Sequence, residues 1–145
     1  MKISIQVDEN IKDTEINISC NTLSQDVEKI VATLRMLDRQ LMVLREGETY
    51  FLDVSQIVYI EAIERKTFVY TTDCYYESKL KLYEIEEQLC RGGFFRASKS
   101  CVVQLRKIKS LKNDVDRKIR LTLDNGEQIM VSRQYADELK KRLGV

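Results

Sequence analysis

Ile57-Val58-Tyr59-Ile60-Glu61-Ala62, Thr67-Phe68-Val69-Tyr70-Thr71-Thr72 and Cys74-Tyr75-Tyr76-Glu77 follow one another closely in this chain. Each run is short and rich in β-branched and aromatic residues. Polar residues separate them, Glu64-Arg65-Lys66 after the first and Thr72-Asp73 after the second. That composition, interrupted by turn-forming residues, reads as three successive strands rather than as a helix. The same texture extends in both directions. Further strands read near 41–45, 49–52, 101–104, 108–112, 118–123 and 127–131, with turns at Glu46-Gly47-Glu48, Asn113-Asp114 and Asp124-Asn125-Gly126. Asn-Gly between two alternating runs is a strong hairpin signal. Two helices interrupt the strands. One spans about 79–90, with Leu82, Ile85 and Leu89 inward and Gly92-Gly93 as its stop. The other spans about 133–143, with Ser132 as N-cap and Tyr135, Leu139 and Leu143 on one stripe.

The N-terminal residues read differently. Lys2-Ile3-Ser4-Ile5-Gln6-Val7 and Glu15-Ile16-Asn17-Ile18-Ser19 alternate at period two, as strands do. A helix is expected next, with Thr22 and Gln25 as a capping box and Val27, Ile30, Val31 and Leu34 on one face. The organisation expected is therefore a strand–strand–helix segment over 1–39 and a β-rich domain over 40–145. The fold class is mainly β, α+β overall. The segment is a dimerisation or regulatory element, or a cap on the core.

With 145 residues and no proline, the chain is one domain with a small appendage. No apolar run spans a bilayer and the start carries no apolar signal segment, so the expected location is the cytoplasm. The chain has no histidine. That removes Ser-His-Asp and Cys-His nucleophile pairs, and no Gly-rich phosphate loop is present. No enzyme, metal, cofactor or small-molecule substrate is expected. Cys20, Cys74, Cys90 and Cys101 are scattered, without a Cys-x-x-Cys pair, and read as small buried apolar residues.

Charge is segregated. The formal net charge is +1, yet residues 1–64 hold 6 basic and 12 acidic side chains and residues 65–145 hold 18 and 11. Residues 91–120 hold ten Lys and Arg against only Asp114 and Asp116. A polyanion is the economical partner for such a half. Its basic residues fall on three polar tips: Glu64-Arg65-Lys66-Thr67, Arg96-Ala97-Ser98-Lys99-Ser100, and Val131-Ser132-Arg133-Gln134. If Phe94-Phe95 is buried, the second tip stands on a rigid base. At the third, amides of a helix start favour a phosphate and Arg133 can reach a guanine edge.

Taken together, Ile57-Val58-Tyr59-Ile60-Glu61, Arg65-Lys66-Thr67-Phe68-Val69-Tyr70-Thr71, Leu82-Tyr83-Glu84-Ile85-Glu86, Phe94-Phe95-Arg96-Ala97-Ser98-Lys99-Ser100 and Val131-Ser132-Arg133-Gln134-Tyr135 resemble the LytTR DNA-binding domain family. The resemblance covers residues from about 41 to 144. It implies an elongated antiparallel β fold with two short helices, which inserts loops into the major groove. It also implies a bacterial transcription regulator, here of the stand-alone type without a receiver domain. Base-reading contacts would fall at Arg65, Lys66, Thr67, Lys99 and Arg133, and phosphate contacts at Arg96, Ser98, Ser100 and Ser132. Ser98 and Lys99 stand where many members carry His followed by Arg or Asn. Partners implied are double-stranded DNA with repeated half-sites, a second copy in a homodimer, and a membrane-protein regulator. Two rival readings remain open: a protein-interaction module docking an acidic partner, and an RNA-binding β domain with Phe68, Tyr70, Tyr75 and Tyr76 as stacking platforms.

Overall fold

The computed structural model describes residues 1–37, 39–89 and 93–145. Its elements run α1 (Gln25–Leu37), β1 (Gln40–Arg45), β2 (Glu48–Asp53), β3 (Tyr59–Ile63), β4 (Lys66–Tyr70), β5 (Tyr75–Ser78), α2 (Leu82–Leu89), β6 (Phe94–Ser98), β7 (Cys101–Gln104), β8 (Ile108–Asn113), β9 (Ile119–Leu123), β10 (Gln128–Val131) and α3 (Arg133–Leu143). Seven strands form one sheet in the order β2-β1-β5-β4-β3-β7-β6 and three form a second in the order β10-β9-β8. Every pairing is antiparallel.

The large sheet builds two cores because its central strands bury both faces. On one side Leu41, Val43, Ile60, Val69 and Val102 pack with Leu82, Ile85 and Leu89 of α2. On the other, Tyr59, Ala97, Cys101 and Val103 meet Ile119, Leu121 and Leu123 of the small sheet and Ala136 and Leu139 of α3. Phe94 joins the first core and Phe95 the second, since successive strand residues point to opposite faces. Edge strand β6 is thereby pinned from both sides. Buried Gln104 closes the arrangement by donating to Ile57 O across the β2–β3 connection. Its backbone N–H donates to Val58 O (3.0 Å).

α3 ends where Gly144 takes a left-handed backbone (φ 74°), its N–H turned back onto the last turn. Arg142 of that turn donates to Phe94 O (3.2 Å) and lies over the Phe95 ring, tying α3 to β6. α1 packs along β1, with Val27, Ile30, Val31 and Leu34 half-buried. Its start is capped by Ser24, whose Oγ accepts from Val27 N, so the expected capping box at Thr22 is displaced by two residues.

Three expectations are corrected. Residues 2–7 and 15–19 form no strand and are exposed throughout. Arg96-Ala97-Ser98, placed above in a polar tip, belongs with Phe94 and Phe95 to strand β6. Cys20 is exposed and Cys74 half-exposed, whereas Cys101 is buried as expected. Cys90 and Gly92, assigned above to the core and to a helix stop, lie outside the described residues.

Candidate nucleic-acid interface

The first tip is the β3–β4 hairpin. Ile63 pairs with Lys66, which leaves Glu64-Arg65 as a two-residue loop. Both residues have positive φ, 49° and 70°, the backbone of a type I′ turn. Neither is glycine, so the turn costs on the order of 1–3 kcal/mol per residue, which the flanking ladder must offset. The result holds Arg65 outward and exposed at the tip, with Lys66 exposed beside it. Thr67 departs from expectation. It is buried (5% exposed) opposite Ala62 and Ser78, on the same face as Val69, and has no surface to offer a base.

The second tip joins β6 to β7. Ser98 pairs with Cys101, leaving Lys99 and Ser100 exposed at the turn. Ser98 Oγ accepts from Ser100 N (3.3 Å). Arg96 braces this turn from below. Its Nε–H donates to Ser98 O (2.6 Å), one terminal nitrogen to Lys99 O and the other to the Glu86 carboxylate on α2. One guanidinium therefore fixes both carbonyls of the tip to the helix behind it. Two of its five N–H groups remain for an outside acceptor.

The third tip is the β10–α3 junction. Ser132 N donates to Ala97 O (2.9 Å), and Ser132 Oγ faces the same carbonyl rather than capping the helix. The first amides of α3 thus keep no side-chain cap, and Arg133 stands exposed at the helix start. Arg133 and Gln134 line an open groove with Ser132, Asp116 and Lys118. Lys118 is a cation that the sequence reading left out of the site. It arrives beside Arg133 through a turn in which Asp116 and Arg117 take positive φ (56° and 62°).

Pairing brings the three tips together. Ala62 N donates to Ser100 O (2.8 Å), seating the first tip against the second. The Ser132–Ala97 bond seats the third against the same strand. β4, β3, β7 and β6 are consecutive in the sheet, so the first two tips lie about 10 Å apart at ordinary strand spacing. Among the described residues Arg65, Lys66, Lys99 and Arg133 make no ion pair. Arg120, by contrast, is bound to Asp114 (3.0 Å) on the small sheet. Exposed Lys109 and Lys112 sit on β8, the other edge of that sheet. The basic run of the sequence is therefore divided between the rim of tips and the flank.

Below the rim, burial pushes the Cys101 thiol up to about 12, so it stays protonated. Glu61, between Phe68 and Cys101, is also raised, first by burial and then by Glu127. The aromatics that RNA stacking would use are engaged with one another across strands. Tyr59 stacks on Tyr70 at 4.3 Å, Phe68 meets Tyr75 edge-on at 6.0 Å, and Tyr50 lies 5.4 Å from Tyr76.

A rigid β scaffold thus presents free cations, short hydroxyls and helix-start amides along one rim. Residues 47–144 match the model of the LytTr DNA-binding domain, and the chain belongs to that family. Two uncharacterized HTH-type transcriptional regulators of Staphylococcus aureus are similar over their full length. That of strain NCTC 8325 is 27% identical over 147 residues, and that of strain MSSA476 is 29% identical over 149. In both cases 100% of this chain and 99% of the relative are covered. Among solved structures, the LytTr DNA-binding domain of a Bacillus cereus protein described as a methyl-accepting/DNA response regulator superposes with a TM-score of 0.70 and 29% identity. The match covers 74% of this chain and 98% of that one. The mainly antiparallel β fold is thus shared.

Proposed function

We propose that this protein is a transcription regulator that binds double-stranded DNA sequence-specifically, by lowering the rim of tips into the major groove. Arg65, Lys66, Lys99 and Arg133 read base edges. Ser98, Ser100, Ser132 and the open amides of α3 hold phosphates, and Arg96 adds a phosphate contact to its brace. The observation that carries the reading is the pair of backbone hydrogen bonds, Ala62 to Ser100 and Ser132 to Ala97, which align three sequence-distant tips on one rim. A groove about 12 Å wide accepts such loops where it would otherwise accept a helix. The regulator names of the Staphylococcus aureus relatives support the transcriptional role. In this reading the protein acts as a homodimer on repeated half-sites, open to control by a membrane-protein partner.

The test is selection of bound duplexes from a random library at about 150 mM salt, where sequence-independent phosphate binding is weak. A repeated motif, its halves spaced by about one helical turn, is the expected result. Recovery of no motif by folded protein would overturn the reading and favour an acidic protein as partner of the basic half.

A further inference from the structure

The N-terminal 24 residues are the part of the chain that the DNA-binding role does not use. Ile3, Ile5 and Val7 are 79%, 88% and 91% exposed. They alternate with Lys2, Ser4, Gln6 and Asp8. Among the described residues no backbone hydrogen bond joins residues 1–7 to anything else. A peptide stretch with strand alternation, an apolar stripe and unpaired amides lacks only a neighbour.

We infer that this neighbour is the same stretch of a second copy, paired antiparallel about a two-fold axis at Ile5. The sequence is self-complementary in that register. Lys2 stands opposite Asp8, Ile3 opposite Val7, Ser4 opposite Gln6, and Ile5 opposite its own copy. Charge meets opposite charge, apolar meets apolar and polar meets polar, and a two-fold contact of this kind closes on itself. Slipping the register by one residue sets Ile3 against Gln6 and Ser4 against Ile5, which destroys the match.

Two further observations favour a second copy over the large sheet's own open edge. The open edge of the large sheet is β2, which carries Glu48 and Asp53. Residues 1–24 hold four acids, Asp8, Glu9, Asp13 and Glu15, against Lys2 and Lys12, so the segment as a whole carries charge of the same sign as that edge. The exposed apolar area is also of dimer size. Met1, Ile3, Ile5, Val7, Ile11, Ile16, Ile18 and Leu23 are between 40% and fully exposed. At roughly 100 Å² per large apolar side chain, Ile3, Ile5 and Val7 bring about 300 Å² per copy to the paired stretch, and all eight together come near the roughly 800 Å² that each partner contributes to a stable interface. The Staphylococcus aureus relatives match along the whole chain, whereas the solved Bacillus cereus domain covers 74% of it.

The inference deepens the homodimer reading above by naming its surface, and it is tested without DNA. Sedimentation of the full chain should show a dimer. Ile3→Lys, Ile5→Lys and Val7→Lys combined should raise its dissociation constant about a hundredfold or more, with circular dichroism unchanged. Register is tested in a Cys20→Ser background. Ile5→Cys should oxidise to a disulfide-linked dimer. Ser4→Cys should not, because Ser4 faces Gln6 and its own copy is too distant to bridge. Lys2→Asp should weaken the dimer and added Asp8→Lys should restore it. A full chain monomeric at about 100 μM, or a triple variant that dimerises as tightly as the wild type, would overturn the inference. A monomer that still selects a DNA motif sinks the arm and spares the regulator. A dimer that selects none does the reverse.

Discussion

Lys2-Ile3-Ser4-Ile5-Gln6-Val7 and Lys118-Ile119-Arg120-Leu121-Thr122-Leu123 have the same pattern, a basic residue followed by strict apolar–polar alternation. In the second, Ile119, Leu121 and Leu123 are 1%, 0% and 0% exposed and form β9, hydrogen-bonded on both sides by β8 and β10. In the first, the same positions are almost fully exposed and no strand forms. Alternation specifies which face a strand would bury. It does not supply the ladder or the covering layer, and without them ordering the backbone costs about 1–2 kcal/mol per residue with nothing to offset it.

The largest effect that separates the two regions is on folding. Leu121→Ala should lower the unfolding free energy by about 2–5 kcal/mol. Ile5→Ala should change it by no more than about 0.5 kcal/mol in protein diluted to monomer. Urea titrations of both variants measure this, and an Ile5→Ala loss comparable to that of Leu121→Ala would mean that the arm is packed after all.

The next contrast sets the rim against the flank. Arg133→Ala should cost about 1–3 kcal/mol of DNA affinity and relax discrimination at one base position. Lys109→Ala, on β8, should leave the base preference intact. Competition binding against single-base variants of the selected site distinguishes them.

A subtler break concerns Arg96. Arg96→Lys keeps the charge but loses the fork that holds Ser98 O and Lys99 O, so it should lower sequence discrimination by about 1 kcal/mol and leave the salt slope unchanged. Glu86→Gln should do the same to a smaller extent. A salt slope flattened by about one unit in Arg96→Ala, with discrimination kept, would assign Arg96 to phosphate contact alone.

The smallest effect lies inside the sheet. Glu61 has a raised carboxyl pKa in the fold, so the folded state holds its proton more tightly than the unfolded chain does. Its ionisation therefore opposes folding, and this contribution to stability declines as pH rises from the ordinary carboxylate range through the raised value. Glu61→Gln should give a slightly higher Tm near neutral pH, with the advantage vanishing near pH 4. A variant less stable than the parent at pH 7 would contradict this.

Local signals were legible wherever one face of an element is buried. The predicted 133–143 helix is α3 residue for residue, and Leu82, Ile85 and Leu89 are inward on α2 as their spacing required. The Asp124-Asn125-Gly126 hairpin also forms, with Gly126 at φ 87°. β6 was missed because Phe94 and Phe95 feed different cores, so their strand shows no period of two. Thr67 was placed in the tip for its polarity, although counting by twos from Val69 sets it on the buried face. Lys118 escaped because nothing local says which way a turn delivers its neighbours.

What the sequence by itself determined is thus a set of elements, a charge asymmetry and three basic tips. Period-two and helical spacing, glycine turns and charge are properties of neighbouring residues, and they act whether or not the chain has folded. Only the tertiary structure decided that Arg65, Lys99 and Arg133 share one rim, that much of the basic run faces elsewhere, and that the N-terminal alternation is left without a partner. Those outcomes depend on strand order and on which layer covers which face. They are set by pairings between residues far apart in the chain, where the free energy of burial is collected over the whole molecule rather than within any one segment.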